Sequence, residues 1–224
     1  MNEKAGSRDD AARALAASDP VLARVIARIG PCTLRPKPEP DLFQALLRSI
    51  IFQQLHGKAA TAIHARVVAL MPTLTAAAMQ TLSEASLRAA GLSANKLLAV
   101  RDLALKTLDG TIPTVAVAAN LNDERLIECL TQVRGIGPWT VQMLMIFYLG
   151  RADVMPASDF GIRKAFSLLY RRGRSVTPST ILRHAKRWRP HRSLASWYLW
   201  RSLDPEPAFQ VPPARRKNRA VTGE

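Results

Sequence analysis

Apolar residues recur along most of the chain at the three- and four-residue spacing of helices buried on one face. Val21, Leu22, Val25, Ile26 and Ile29 form the first such stripe, behind Asp19 as N-cap and Pro20 in the first turn. Gly30-Pro31 stops it, and Pro31, Pro36, Pro38 and Pro40 mark an extended connection. Phe43, Leu46, Leu47, Ile50 and Ile51 predict a second helix from near Asp41, and a third runs from about Lys58 to Leu70, before Pro72. Short helices are predicted near 75–80 and 83–90, and after Gly91 a helix over 94–108 capped by Ser93. Further helices fit 122–133, 138–149, 159–171, 177–188 and 191–203. Strand chemistry gathers only at Thr111, Ile112, Val115 and Val117, where the Ala-rich context and the lack of strand partners favour a short helix or loop. Residues 1–18 are polar and Ala-rich and read as a partly mobile segment. After Asp204, Pro205, Pro207, Pro212 and Pro213 precede Arg215, Arg216, Lys217 and Arg219, a basic tail over 205–224 that cannot form a core and reads as disordered. The expectation is an all-α protein, with a folded region over 19–204.

Composition narrows the class. Of 224 residues, 48% are apolar, enough for a packed core. No stretch of about 20 apolar residues lacks charge, and the first ten residues hold no apolar segment, so neither a membrane span nor a secretory signal is expected. Lys and Arg number 32 against 17 Asp and Glu, a formal charge of +15. That balance calls for a polyanion, nucleic acid first and an acidic membrane surface second. Cys32 and Cys129 cannot build a four-thiolate iron–sulfur or zinc site, and they read as reduced thiols.

The most informative stretch runs from Leu130 to Leu144. One helix ends near Val133, Gly135-Ile136-Gly137 turns the chain, and Pro138 opens the next helix. Two glycines allow positive φ and a close approach of backbone to ligand, and the free N–H groups at a helix start favour an anion. Ile136 can tuck between the helices and fix the turn. A bare Gly-x-Gly also fits an ordinary interhelical turn; the longer string Val133-Arg-Gly-Ile-Gly-Pro-Trp-Thr140 is more specific.

With that hairpin, two more motifs complete a pattern: Ser49-Ile-Ile-Phe-Gln-Gln-Leu-His-Gly-Lys-Ala-Ala60, and Asp153-Val-Met-Pro-Ala-Ser-Asp-Phe-Gly-Ile-Arg-Lys-Ala-Phe166. In order and spacing the chain resembles the helix–hairpin–helix DNA glycosylases, in particular the 3-methyladenine DNA glycosylase II branch. The resemblance covers about residues 19–204. It implies two helical lobes with a DNA-binding cleft between them; the N-terminal β-containing domain of longer bacterial relatives is expected to be missing, because the helical pattern begins by residue 19. It places the catalytic carboxylate at Asp159. Read alone, Asp159 is simply an N-cap. The roles are compatible, because a helix N-terminus favours an ionised carboxylate. Such a group stabilises the positive charge that develops on the sugar as an N-glycosidic bond breaks, and it can orient water. A ring-methylated purine is already cationic, so one carboxylate suffices. Asp153 is the second choice for that carboxylate, but its place beside Val154 and Met155 suggests a structural role. Trp139 stands where lyase-active members of the superfamily carry a nucleophilic lysine, which implies a monofunctional enzyme.

The target base must be flipped into a pocket. Trp139 and Trp200 are the first candidates to stack on it, Phe43 and Tyr148 weaker ones, while Trp188, Trp197 and Tyr198 read as core. The resemblance makes the loop Gln54-Leu55-His56 the wedge that fills the gap, with His56 foremost; Gln53 and Gln54 could instead bond backbone. Gly135, Ile136, Gly137 and Thr140 of the hairpin are expected to hold phosphate, and Lys58, Arg134, Arg163 and Lys164 could add contacts. Relatives also bind a monovalent cation through carbonyls matching Thr131, Val133 and Ile136. The expected partner is double-stranded DNA bearing 3-methyladenine or 7-methylguanine, met by a monomer with no cofactor and no membrane association. The location follows the DNA: cytoplasmic at the nucleoid in a bacterium, nuclear in a eukaryote. Rival readings are a glycosylase for deaminated or oxidised purines, and a non-enzymatic DNA-binding module.

Overall fold

A computed structural model describes residues 3–36, 41–55 and 57–204 of the chain, with side chains from Arg8 onward. The described residues form helices and no strand. The helices sort into two lobes, each around its own core.

The first lobe holds α3 (Leu42–Phe52), α4 (Gly57–Ala69), α5 (Ala76–Thr81), α6 (Glu84–Ala89), α7 (Ala94–Leu108), α8 (Val115–Asn120), α9 (Asp123–Leu130) and α10 (Pro138–Phe147). Short polar side chains start most of them: Asp41, Thr75, Ser83, Ser93, Thr114 and Asn122 each accept a backbone N–H of the first turn. Leu46, Leu47, Ile50 and Ile51 on α3 meet Val100, Leu103 and Ala104 on α7 and Val141 and Met145 on α10. The ambiguous 111–120 segment contains a short helix, α8, capped by Thr114.

The second lobe joins the first and last helices of the described residues. It holds α1 (Glu3–Ser18), α2 (Pro20–Ile29), α11 (Phe160–Arg171), α12 (Pro178–His184), a tight 3₁₀ turn over Ala185–Trp188, and α13 (Arg192–Arg201). The segment before Asp19, expected to be loosely held, is helical, and Leu15 is 1% exposed in the second core. Its apolar stripe is only Ala11 and Leu15, too narrow to stand out in sequence; packing on α2 and α13 secures the helix. The 177–188 helix is also interrupted, passing into the 3₁₀ turn at Ala185.

A buried carboxylate ties this lobe together. Asp19 is 1% exposed, and its Oδ2 accepts from His184 Nε2 at 2.8 Å, Tyr170 OH at 3.0 Å and Trp188 Nε1 at 3.0 Å. Oδ1 takes the N–H groups of Val21 and Leu22. Burial works against the charge, yet this set of donors holds the carboxyl well below the usual carboxylate range. Burial and the neighbouring Asp19 push the Tyr170 hydroxyl far up.

The lobes are linked by residues 151–155, strapped to α13. Arg192 pairs with Asp153 (Nε to Oδ1 2.7 Å, Nη2 to Oδ2 3.0 Å), Ser193 Oγ donates to the Arg151 carbonyl at 2.6 Å, and the Val154 N–H donates to Ser193 Oγ at 3.0 Å. Asp153 is therefore structural, as its apolar neighbours suggested. Leu34 and Trp200 pack against both cores.

Candidate active site and DNA-facing hairpin

Three helices converge on Asp159. It caps α11, and its Oδ1 accepts the Ile162 N–H at 2.8 Å. Oδ1 also accepts Trp200 Nε1 from α13 at 2.8 Å, and Oδ2 accepts Trp139 Nε1 from the start of α10 at 2.8 Å. Three N–H donors thus fix the orientation of a half-buried carboxylate. The N-cap and the site are one residue, so neither reading displaces the other. Gly161 makes room for this: a Cβ there would lie 2.9 Å from Trp200 Cδ1 and 3.1 Å from Asp159 Oδ1.

Trp139 is 44% exposed, so its ring remains open to a ligand while its N–H is engaged. Met143 and Phe147 follow at four-residue intervals on the same face of α10. The Phe147 ring lies 5.6 Å from that of Trp200. Beyond this stripe opens a cavity of about 390 Å³ between α10 and α3, lined by Met143, Leu144, Phe147, Tyr148, Ala45, Arg48, Ser49 and Arg35. Such a volume suits a small planar ligand.

The sequence offered Trp139 and Trp200 as stacking faces for the base; the structure brings both to the carboxylate as hydrogen-bond donors. Tyr148 lines the cavity from a largely buried position. Phe43 does not: it is 2% exposed inside the first core, in phase with Leu46, Leu47 and Ile50. Met143, Phe147, Arg48 and Ser49 were missed; the four-residue step from Trp139 was the available signal for the first two. Phe160, directly after the carboxylate, is 78% exposed and was also missed. Trp188, Trp197 and Tyr198 are core, as expected.

The hairpin lies between α9 and α10. Gly135 adopts the left-handed region, φ 79°, whereas Gly137 is extended at φ −102°, so only the first glycine is required by backbone conformation. A side chain at Gly137 would meet nothing within 4 Å, so this glycine leaves the backbone face uncovered. Ile136 is buried, and its N–H donates to the Val133 carbonyl at 3.0 Å. It shapes the turn, and its amide is not offered to a ligand as expected. The Thr140 side chain is likewise buried, so the group it has left for a ligand is its backbone amide. The helix α10 starts without a side-chain cap, and the amides of Trp139 and Thr140 lack a carbonyl four residues back within the helix. The hairpin is braced from behind by Asp102, whose Oδ2 accepts the Arg134 N–H at 2.6 Å while Lys106 pairs with Oδ1 at 2.7 Å. Burial opposes the Asp102 charge, but Lys106 and the Arg134 amide hold its carboxyl below the usual range.

Across from the hairpin, Gln54 takes φ 57° and Leu55 is 40% exposed at the loop tip. His56 lies outside the described residues. Gln53 bonds backbone as one alternative had it, donating from Nε2 to the Gly135 carbonyl at 2.9 Å. Lys58, Arg134, Arg163 and Lys164 have exposed side chains, although Arg163 Nε also reaches the Val176 carbonyl at 3.4 Å. Cys32 and Cys129 are free thiols. Among the described residues no group of three or more His, Cys, Asp or Glu could hold a metal ion, and no helix is long and apolar enough to cross a membrane.

A glycine-turned hairpin opening an uncapped helix, with a carboxylate held beside exposed aromatics in an all-helical fold, points to the class of proteins acting on bases in DNA. The HhH-GPD superfamily base excision DNA repair protein model matches residues 47–190, and the chain belongs to that family. DNA-3-methyladenine glycosylase 1 of Schizosaccharomyces pombe is 39% identical over 184 residues, covering 81% of this chain and 80% of that protein. A solved structure of Schizosaccharomyces pombe 3-methyladenine DNA glycosylase in complex with abasic DNA superposes with a TM-score of 0.75 at 37% identity, covering 86% of this chain and 96% of the other. A DNA-3-methyladenine glycosidase from Bacillus halodurans gives a TM-score of 0.78 at 33% identity over 86% of this chain and 88% of that one.

Proposed function

We propose that this chain is a monofunctional DNA glycosylase that removes alkylated purines, 3-methyladenine and 7-methylguanine first, from double-stranded DNA. The observation that carries the reading is the Asp159 carboxylate, held by two indole N–H groups and one backbone amide at the mouth of an aromatic cleft. The hairpin amides grip phosphate, the Gln54–His56 loop enters the gap, and the extruded base passes the Trp139–Met143–Phe147 stripe into the cavity. As the bond from C1′ to the base nitrogen breaks, its electron pair neutralises the cationic methylated base. Asp159 faces the positive charge left on the sugar. Water adds to C1′ and loses a proton, leaving an abasic site and a free base. With tryptophan at position 139, no amine stands there to form a Schiff base and cut the strand. The protein acts as a monomer, at the nucleoid or in the nucleus according to its source. The carbonyls of Thr131, Val133 and Ile136 offer an all-oxygen donor set that suits a hard monovalent cation, which would add positive charge behind the phosphate.

The test is base release from methylated duplex DNA, wild type against Asp159→Asn. Wild type is expected to free 3-methyladenine and 7-methylguanine without strand cleavage. The variant should bind abasic DNA but release base about 100-fold more slowly or worse. Release by the variant at the wild-type rate would overturn the assignment of Asp159. A second reading draws support from Arg35 and Arg48 in the cavity wall. Arg35 Nη1 donates to the Cys32 and Leu34 carbonyls and the Arg48 guanidinium lies over the Phe52 ring, and the N–H groups each has left suit a neutral purine with acceptor oxygens, deaminated or oxidised. A panel of such lesions separates the two: a higher kcat/KM on a neutral lesion than on 7-methylguanine favours the second.

A further inference from the structure

The loop that faces the hairpin is held by a group outside the site described so far. Helix α3 ends at Phe52, where a helix leaves its last carbonyls without internal donors. Lys96, in the first turn of α7, reaches across and donates from Nζ to the Ile51 carbonyl at 2.6 Å and to the Gln53 carbonyl at 2.9 Å. A cation at a helix C-terminus is favoured by the helix dipole. Gln53 is gripped from the other side too, its Nε2 donating to the Gly135 carbonyl of the hairpin at 2.9 Å. The next residue, Gln54, takes the left-handed conformation at φ 57°, which a non-glycine residue keeps only where its surroundings enforce it. The chain then presents Leu55 outward. Burial lowers the Lys96 ammonium below the ordinary lysine value, as fits a charge turned into the protein rather than displayed to phosphate.

We propose that Lys96 is a positioning residue for base extrusion: by clamping the Ile51 and Gln53 carbonyls it keeps the Gln53–Leu55 loop in register with the phosphate-gripping hairpin. The proposal rests on the glycosylase reading, and it predicts a defect in opening the duplex and none in breaking the glycosidic bond. Lys96→Met keeps the length of the side chain and removes its donors. With 7-methylguanine as lesion, single-turnover release from duplex DNA should fall about tenfold or more, while release from single-stranded DNA changes by less than about twofold. Lys96→Arg, which restores a cationic donor, should recover most of the duplex rate.

A second measurement does not depend on base release. Duplex carrying 2-aminopurine beside the lesion brightens when the stack opens. Asp159→Asn should produce that rise on binding, and Asp159→Asn with Lys96→Met should lose most of it at saturating protein. Equal losses on duplex and single strand, or an unchanged fluorescence rise, would overturn the proposal. If wild type frees no base from either DNA, the glycosylase reading fails, and the fluorescence comparison still decides whether Lys96 holds the loop.

Discussion

Replacing Gly161 with alanine adds one methyl group and tests whether the orientation of Asp159 matters. Gly161 is the second residue of α11 and has ordinary helical backbone, so alanine gains about 1 kcal/mol in helix propensity. Its Cβ, however, would lie 2.9 Å from Trp200 Cδ1 and 3.2 Å from Trp200 Nε1. Carbon atoms in contact sit about 3.5–4.0 Å apart, so the indole must retreat by roughly 0.6–1 Å. Its N–H now reaches Asp159 Oδ1 at 2.8 Å, and that retreat stretches the bond to about 3.4–3.8 Å, weakening it at the near end of the range and breaking it at the far end. A hydrogen bond to a charged group is worth about 1.5–3 kcal/mol, which corresponds to a rate loss of about 10- to 150-fold if the bond serves the transition state. Overpacking costs about 1–3 kcal/mol, partly offset by the propensity gain, so Tm should fall by no more than about 8 °C. The assay is single-turnover release of 7-methylguanine, with calorimetry and abasic-DNA binding alongside. The expected result is a folded protein that binds DNA within about threefold of wild type and releases base 10- to 150-fold more slowly, by the same conversion of energy to rate. Trp200→Phe, which keeps a ring and loses the N–H, should show a loss of similar size. A wild-type rate in both variants would refute the idea that the indole holds the carboxylate for catalysis.

Asp19 links stability to pH. Its carboxyl titrates lower in the folded chain than in the unfolded one, so its contribution is complete above the unfolded value near 4 and is lost as pH falls toward the depressed folded value. Thermal unfolding followed from pH 6 to pH 2 should show wild-type Tm dropping through that lower range. Asp19→Asn should begin several degrees lower and follow a shallower slope; an identical slope would sink the assignment. Exchange of potassium for tetramethylammonium at constant ionic strength should weaken abasic-DNA binding about threefold or more if the hairpin carbonyls hold a cation. Equal affinity in both salts would remove the ion from the hairpin.

The helical class, the order of the long helices, the hairpin and the N-cap at Asp159 were legible in the sequence because each rests on local rules, whereas the catalytic reading of Asp159 came from the family resemblance. Helix stripes follow from a 3.6-residue period, helix starts from short polar caps, and the turn from a glycine that must adopt positive φ at position 135. Sequence failed where the answer depended on which face of a regular helix meets which neighbour. Phe43 looked like a pocket aromatic and is core, because α3 turns that face toward α7 and α10. Ile136 tucks inward as its place in the turn suggested, but the burial of the Thr140 side chain on the next helix did not stand out. The α1 helix escaped notice because its two core residues gain their stability from tertiary packing, on α2, α13 and the 3₁₀ turn.

What the sequence determined by itself is the set of helices, the polyanion-seeking charge and the three motifs that carry family membership. What the tertiary structure alone decided is the convergence: Trp139 and Trp200, 61 residues apart in sequence, each give an N–H to a different oxygen of the same carboxylate. Lys96 likewise meets carbonyls 45 and 43 residues away to set the loop opposite the hairpin. The reason is that hydrogen-bond geometry at a site is fixed by the packing of whole helices, through contacts between residues far apart in the chain, and local pattern holds no record of those distances.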